Sequence, residues 1–200
     1  MTPVLILFAH PAFERSRVHR RLVDAVAELP GVTFHDLYQA YPDFDVDVRY
    51  EQELLAAHDV VVLQHPFYWY STPPLVKQWE DLVLEHGWAY GTGGTALHGK
   101  RLLSAISAGG PQRAYCADGY NRFSVRQLLA PLEQTARLCG MDYLPPFVVF
   151  GTHGLEDERI RSAAAEYGRL IEALRDERVD LDRAREADCL PADVSTVVRA

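Results

Sequence analysis

The chain has 200 residues, 48% of them apolar and 24% charged, with a formal net charge of −8. This length suits one domain with a full core, and the acidic balance, with Lys and Arg scattered, excludes a phosphate track for nucleic acid. No apolar run approaches the ~20 residues of a membrane span, and residues 1–10 are too short, and lack the basic start, for a signal peptide.

Three cysteines, Cys116, Cys139 and Cys189, form an odd set with no CxxC. They point to a reducing cytosol without a disulfide framework, and no metal site is read from them.

In chain order, residues 3–9 (PVLILFA) form an apolar run of strand length ending at His10-Pro11. Val18, Leu22, Ala25, Val26 and Leu29 then have helical spacing, with Ser16 as a reasonable N-cap and Pro30-Gly31 as the stop. Residues 32–37 read as a second strand, making a βαβ unit with parallel strands. Residues 38–49 read as an irregular stretch with a turn at Pro42-Asp43, and residues 51–57 as a short helix.

Residues 59–74 (DVVVLQHPFYWYSTPP) carry the strongest signal. Val60 to Leu63 is a β-branched run that reads as a strand buried on both faces. Four aromatics, Phe67, Tyr68, Trp69 and Tyr70, follow Pro66. They cannot all be strand core, because side chains alternate faces along a strand. Ser71 or Thr72, followed by Pro73 and Pro74, reads as a helix start. Leu75, Trp79, Leu82 and Val83 mark that helix, and residues 88–99 form a glycine-rich excursion. Residues 102–108 read as a fourth strand ending at Gly109-Gly110, and residues 111–123 as a long loop. Residues 125–138 read as a helix closed by Gly140, residues 143–150 as a fifth strand split by Pro145-Pro146, and residues 156–174 as a last helix. Residues 1–175 are expected to be one domain. Residues 176–200 lack sustained periodicity and are expected to be a disordered tail.

Strands alternating with helices predict an α/β, doubly wound parallel five-stranded sheet of order 2-1-3-4-5. The loops after strands one, three and four, at residues 10–19, 66–71 and 107–115, then converge on one edge. Ser16 at a helix start, beside Arg17, His19 and His10, suits a phosphate. The aromatic loop offers flat surface, and Gly109-Gly110 lets backbone approach a planar ring. Phosphate at one end and a ring at the other describe a mononucleotide cofactor, with flavin fitting best. Taken singly, Ser16 reads equally well as a plain N-cap, and a lone Gly-Gly is more often turn chemistry.

The chain resembles the flavodoxin-like NAD(P)H:quinone oxidoreductases along roughly residues 3–175. The resemblance rests on LFAHP at 7–11, Ser16, QHPFYWYSTPPLVKQW at 64–79, HGWAYGTGGTALHGK at 86–100, SAGG at 107–110 and CGMDYLPPF at 139–147. Within that family it is similar to the ancillary subunits of glutathione-gated potassium-efflux antiporters, through residues 38–44 and 64–71.

The resemblance implies FMN or FAD as cofactor and NAD(P)H as co-substrate. His10, Ser16, Arg17, Val18 and His19 would contact the flavin phosphate. Pro66, Phe67, Tyr68, Trp69 and Tyr70 would wrap the ribityl chain and ring, with backbone N–H groups at the ring's polar edge. Ser107, Ala108, Gly109 and Gly110 would line its other side, and Tyr115 would stand near the reacting ring. The family often has asparagine where His19 stands. The histidine that larger members carry after the tyrosine is replaced here by Tyr120 and Asn121, so proton delivery falls to Tyr115, Tyr120 or water. Trp69 and residues 88–90 would wall the stacking slot. The implied reaction is hydride transfer from NAD(P)H to a quinone by a ping-pong cycle, in a cytoplasmic homodimer. The second expectation is a regulatory subunit docked on a potassium-efflux antiporter at the inner face of the membrane.

Overall fold

The computed structural model describes residues 1–199. Its elements run β1 (Val4–Phe8), α1 (Arg17–Val26), β2 (Val32–Asp36), α2 (Leu37–Ala40), α3 (Val48–Ala57), β3 (Val60–Pro66), α4 (Pro74–Val83) and β4 (Arg101–Ala108). There follow α5 (Val125–Leu128), α6 (Ala130–Leu138), β5 (Asp142–Tyr143), β6 (Phe147–Phe150), α7 (Asp157–Arg175) and α8 (Leu181–Arg185).

The sheet is parallel throughout, in the order β2-β1-β3-β4-β5, with β6 also paired to β4. The expected order is therefore present, and the expected fifth strand is two segments. Pro145 and Pro146 interrupt the run because neither can donate to a ladder. Asp142–Tyr143 pairs beside Arg101 and Leu102, and Phe147–Phe150 beside Ala105 to Ala108.

Alternation along the central strands sends side chains into two layers. Leu5, Leu7, Val61 and Leu63 pack under α4 and α6 with Trp79, Val83 and Leu132. Val4, Ile6, Val60 and Val62 pack under α1 and α7 with Leu22, Val26, Leu170 and Leu174. Burying each such side chain stabilises the fold by about 1.5–3 kcal/mol.

The stretch 38–49 is irregular with a turn at Pro42-Asp43 as expected, but helical at its two ends, residues 38–40 falling in α2 and 48–49 in α3. The Asp36 carboxylate accepts from the N–H groups of Tyr38 and Gln39 and caps the short helix α2. Neither Ser71 nor Thr72 caps α4, whose cap position is Pro73 with no side-chain bond; Pro74 supplies the preset φ of a first turn. The helix expected over residues 125–138 is broken at Leu129, ahead of Pro131 in the first turn of α6.

The expected disorder of residues 176–200 is also corrected, residue 200 lying outside the described residues. Val179, Ala184, Leu190, Val194 and Val197 are buried against the α1/α7 layer. Asp180 donates its N–H to the Val197 carbonyl at 2.8 Å, and Leu190 to that of Pro146 at 2.9 Å. The apolar positions here are spaced irregularly because turns, not one long helix, bring them inward. Among the described residues no helix is long and apolar enough to cross a membrane.

Candidate functional site

Because all strands are parallel, their carboxyl ends lie at one edge, where such sheets bind ligands. The loops after β1, β3 and β4 meet there with a fourth segment, residues 151–156, between β6 and α7.

The first loop turns into α1 at Ser16, whose Oγ accepts the His19 N–H at 3.0 Å. The N–H groups of Arg17 and Val18, in the first turn, have no intrahelical acceptor. The Arg17 guanidinium turns away from this loop, donating to the Leu155 carbonyl at 3.0 Å and pairing with Asp157 at 2.5 Å. The Val18 side chain is buried in the α1/α7 core. These two expected residues thus face the site through backbone only.

His10 and His19 are both buried, with ring centroids 5.2 Å apart. Nδ1 of His10 accepts the Ala12 N–H at 3.1 Å, leaving Nε2 to carry the proton of the neutral ring. Nε2 of His19 lies 2.9 Å from Oγ of Ser107, while its Nδ1 is buried without a partner. Burial lowers the pKa of His10, and lowers that of His19 well below the ordinary range with help from neighbouring His10 and His65. His65, fully buried at the end of β3, is pushed down to about 4 by burial. This edge therefore carries neutral imidazoles that act as hydrogen-bonding groups.

The second loop departs from β3 at Pro66. Phe67 N–H pairs with the Ser107 carbonyl at 2.9 Å and Tyr68 N–H with that of Pro66 at 3.0 Å, so both are occupied. Trp69 and Tyr70 stand at φ 50° and 64°, a left-handed conformation rare outside glycine. Among the described residues their N–H groups have no acceptor. The strained pair throws the Trp69 ring outward to 93% exposure, with Tyr68 and Tyr70 half-exposed beside it.

The third loop runs from Ser107 through the buried Ala108 to Gly109-Gly110. A Cβ on Gly110 would stand 3.3 Å from the Tyr115 hydroxyl oxygen, and one on Gly109 would stand 2.5 Å from Nε2 of His153. On the Cβ side of Gly109 the space is filled by this chain's own imidazole. His153 escaped sequence reading because nothing local to GTHG marks it; only the β4–β6 pairing brings it here.

Tyr115 packs its ring on Phe67 and Phe150, with centroids 6.2 and 5.6 Å away. Burial and the nearby Tyr70 raise its pKa, while Gly110 and Asn121 oppose the shift. The Tyr70 hydroxyl donates to Oδ1 of Asn121 at 3.2 Å. Together Tyr70, Gly110, Pro111, Arg113, Ala114, Tyr115, Tyr120 and Asn121 line a cleft of about 460 Å³, a usual size for a small-molecule site. Tyr120 is 91% exposed at its mouth.

A larger groove of about 600 Å³ lies between α4 and α6. Tyr90 lines this groove and not the cleft, so within one chain the segment 88–90 does not wall the slot as expected. Glu80 in that groove is pushed up to about 7 by burial, opposed by Lys77. The groove contains none of the expected cofactor residues.

A flavin mononucleotide fits this edge. Free N–H groups and neutral imidazoles stand at the α1 start, and the free N–H groups of Trp69 and Tyr70 stand beside an aromatic cleft. The arrangement is that of a flavodoxin-type nucleotide-cofactor protein.

The family described as "Flavodoxin-like fold" matches residues 2–171. "Uncharacterized NAD(P)H oxidoreductase YdeQ" of Bacillus subtilis (strain 168) is 46% identical over 163 residues, 82% of this chain and 83% of the relative. The crystal structure of the general stress protein 14 of Treponema denticola, in complex with FMN, is 43% identical with a TM-score of 0.82, covering 86% of this chain and 99% of that one. An NADPH-quinone reductase from P. pentosaceus is 34% identical with a TM-score of 0.74, covering 83% and 97%. The chain belongs to the flavodoxin-like NAD(P)H oxidoreductase family. None of these three is named as an antiporter subunit.

Proposed function

We propose that this protein is a cytoplasmic, FMN-dependent NAD(P)H:quinone oxidoreductase. The observation that carries the reading is one sheet edge holding both a helix start with free N–H groups and an aromatic cleft. The FMN-bound relative and the NADPH-quinone reductase relative support it. A flavin held there would supply the hydride chemistry between NAD(P)H and a quinone, with the two substrates using the site in turn in a ping-pong cycle.

The protein's own work is placement. Ser16, the backbone of Arg17 and Val18, and His10 would hold the phosphate at the positive end of α1. The N–H groups of Trp69, Tyr70 and Gly109 would serve the polar edge of the ring, where reduction builds negative charge. Phe67, Tyr68 and Tyr70 exclude water, and the Tyr115 hydroxyl gives its proton to the quinone oxygen.

A homodimer completes the site. Trp69, Tyr68, Tyr70, Tyr120 and Phe123 are exposed aromatics, Tyr70 and Tyr120 lining the cleft itself; this is the composition favoured at interface cores, and a second copy would cover them. Steady-state kinetics test the cycle. Double-reciprocal plots at several quinone concentrations should be parallel; intersecting lines, or no NAD(P)H oxidation, would reject it.

A further inference from the structure

The loop that follows β4 is folded back on itself. Asn121 donates its N–H to the Ala114 carbonyl at 2.9 Å, and Gly119 to that of Cys116 at 3.0 Å. The two arms approach so closely that a Cβ on Gly119 would stand 2.6 Å from the Arg113 carbonyl oxygen and 2.7 Å from that of Ala114. This fold-back brings Asn121 against the arm that carries Tyr115, and both residues line the aromatic cleft.

The Asn121 side chain has two ends with different partners. Its Oδ1 accepts from the Tyr70 hydroxyl at 3.2 Å. With the oxygen so engaged, the Nδ2 end and its two N–H groups are left for the cleft. The hydrogen-bonding neighbours of the Tyr115 hydroxyl are the Gly110 backbone and the Asn121 side chain, and both oppose the rise that burial and Tyr70 impose on its pKa. Groups that act in that direction donate to the ionised oxygen. Gly110 is close to the same atom, the position of its missing Cβ being 3.3 Å from the Tyr115 hydroxyl oxygen. Phe67 and Phe150 pack against the Tyr115 ring, but an apolar contact cannot set the direction of a hydroxyl.

We propose that Asn121 is a positioning residue for the quinone half of the reaction, its Nδ2–H donating to the Tyr115 oxygen while the Tyr70 hydroxyl fixes the amide. As hydride reaches the quinone, the Tyr115 O–H bond breaks and its proton goes to the quinone oxygen. The tyrosine oxygen is left as a phenolate until water returns a proton. A hydrogen bond to a charged oxygen is stronger than one to a neutral hydroxyl, so Asn121 contributes most at that moment. The inference rests on the quinone-reductase reading above, with Tyr115 as its proton donor.

Two substitutions separate donation from packing. Asn121→Ala removes both ends of the amide, whereas Asn121→Asp keeps its shape and an acceptor for Tyr70 but has no N–H. Both should slow reoxidation of the reduced, FMN-loaded protein by quinone about tenfold, the size of one such bond. Flavin content and the rate of reduction by NAD(P)H should stay near wild type. In a Tyr115→Phe background neither should slow reoxidation further. A second measurement needs neither flavin nor turnover. In NMR of the flavin-stripped chain with isotope-labelled tyrosine, the Tyr115 resonance, assigned by its loss in Tyr115→Phe, should titrate at higher pH in both variants. The other titratable or charged groups at this hydroxyl, Tyr70 from the loop after β3 and Arg113 and Tyr120 from its own, are kept in both. Asn121→Asp behaving as wild type would show that only the tie to Tyr70 matters and would overturn the assignment. An unmoved titration, or an equal further loss in the Tyr115→Phe background, would overturn it too. Wild-type reoxidation in Tyr115→Phe would instead reject the proton-donor reading, and the assignment with it.

Discussion

Nε2 of His19 and Oγ of Ser107 lie 2.9 Å apart, joining the first turn of α1 to the end of β4. This contact locks the phosphate turn to the loop bearing Gly109, so the two ends of the proposed cofactor site move as one body. It also places a neutral histidine in a layer that otherwise packs Val18, Leu22 and Phe147.

Such histidines make stability depend on pH. The folded pKa of His65 is depressed from 6.5 to about 4, so the unfolded chain takes the proton first. Stability is therefore complete above pH ~6.5 and falls as the pH drops through the window down to about 4. From this group alone the loss by pH 5 is on the order of 2 kcal/mol, and His19 adds to it in the same direction. Urea midpoints at pH 8 and pH 5 should show the drop, and His65→Leu should reduce it.

Glu51 holds a second buried network. Its carboxylate, 0% exposed, accepts from Tyr41 Oη and His35 Nε2 at 2.6 Å each, and from Trp79 Nε1 at 2.8 Å. One side chain on α3 thereby ties β2, the α2 turn and α4. Glu51→Leu would strand these donors and should cost about 3–5 kcal/mol. Tyr41→Phe removes one bond and should cost about 1–3 kcal/mol. Chemical denaturation monitored by tryptophan fluorescence measures both.

Much of this was legible in the sequence, and the remainder was not for physical reasons. Val60 to Leu63 and the run before His10 are β-branched or apolar without alternation, so their burial on both faces and the strand order could be read directly. Ser16 announced itself as a cap and is one. His153, by contrast, packs on Gly109 across 44 positions of sequence, and local pattern carries no trace of such a contact. Glu51 reads as an ordinary helix carboxylate; its burial follows from Tyr41, His35 and Trp79 converging in space. The split of the last strand at Pro145-Pro146 was visible, but its consequence, two separate pairings with β4, was not.

Tyr115 and Tyr120 were both candidates for proton delivery, with the resemblance setting Tyr115 near the ring. Tyr115 is packed between Phe67 and Phe150, whereas Tyr120 is almost fully exposed. Only a fixed hydroxyl can meet a substrate in one geometry. Tyr115→Phe should lower quinone turnover roughly 10²-fold, the lower end for a positioned proton donor, with flavin content intact. Tyr120→Phe should leave turnover near wild type.

Trp69 is held outward by a strained backbone, which a monomer gains nothing from. Trp69→Ala should shift the protein from dimer to monomer in size-exclusion chromatography with light scattering. A wild-type monomer at micromolar concentration would contradict the proposed interface.

The central claim is that the edge formed by Ser16, Trp69, Tyr70, Gly109 and Tyr115 holds FMN. Its most direct test is the absorbance spectrum of the purified protein, reconstituted with FMN if it emerges colourless, with mass identification of whatever heat releases. The account predicts the two-banded yellow spectrum of bound oxidised flavin and the release of FMN in about one equivalent per chain. A colourless protein that leaves added FMN unperturbed in absorbance and fluorescence would contradict it.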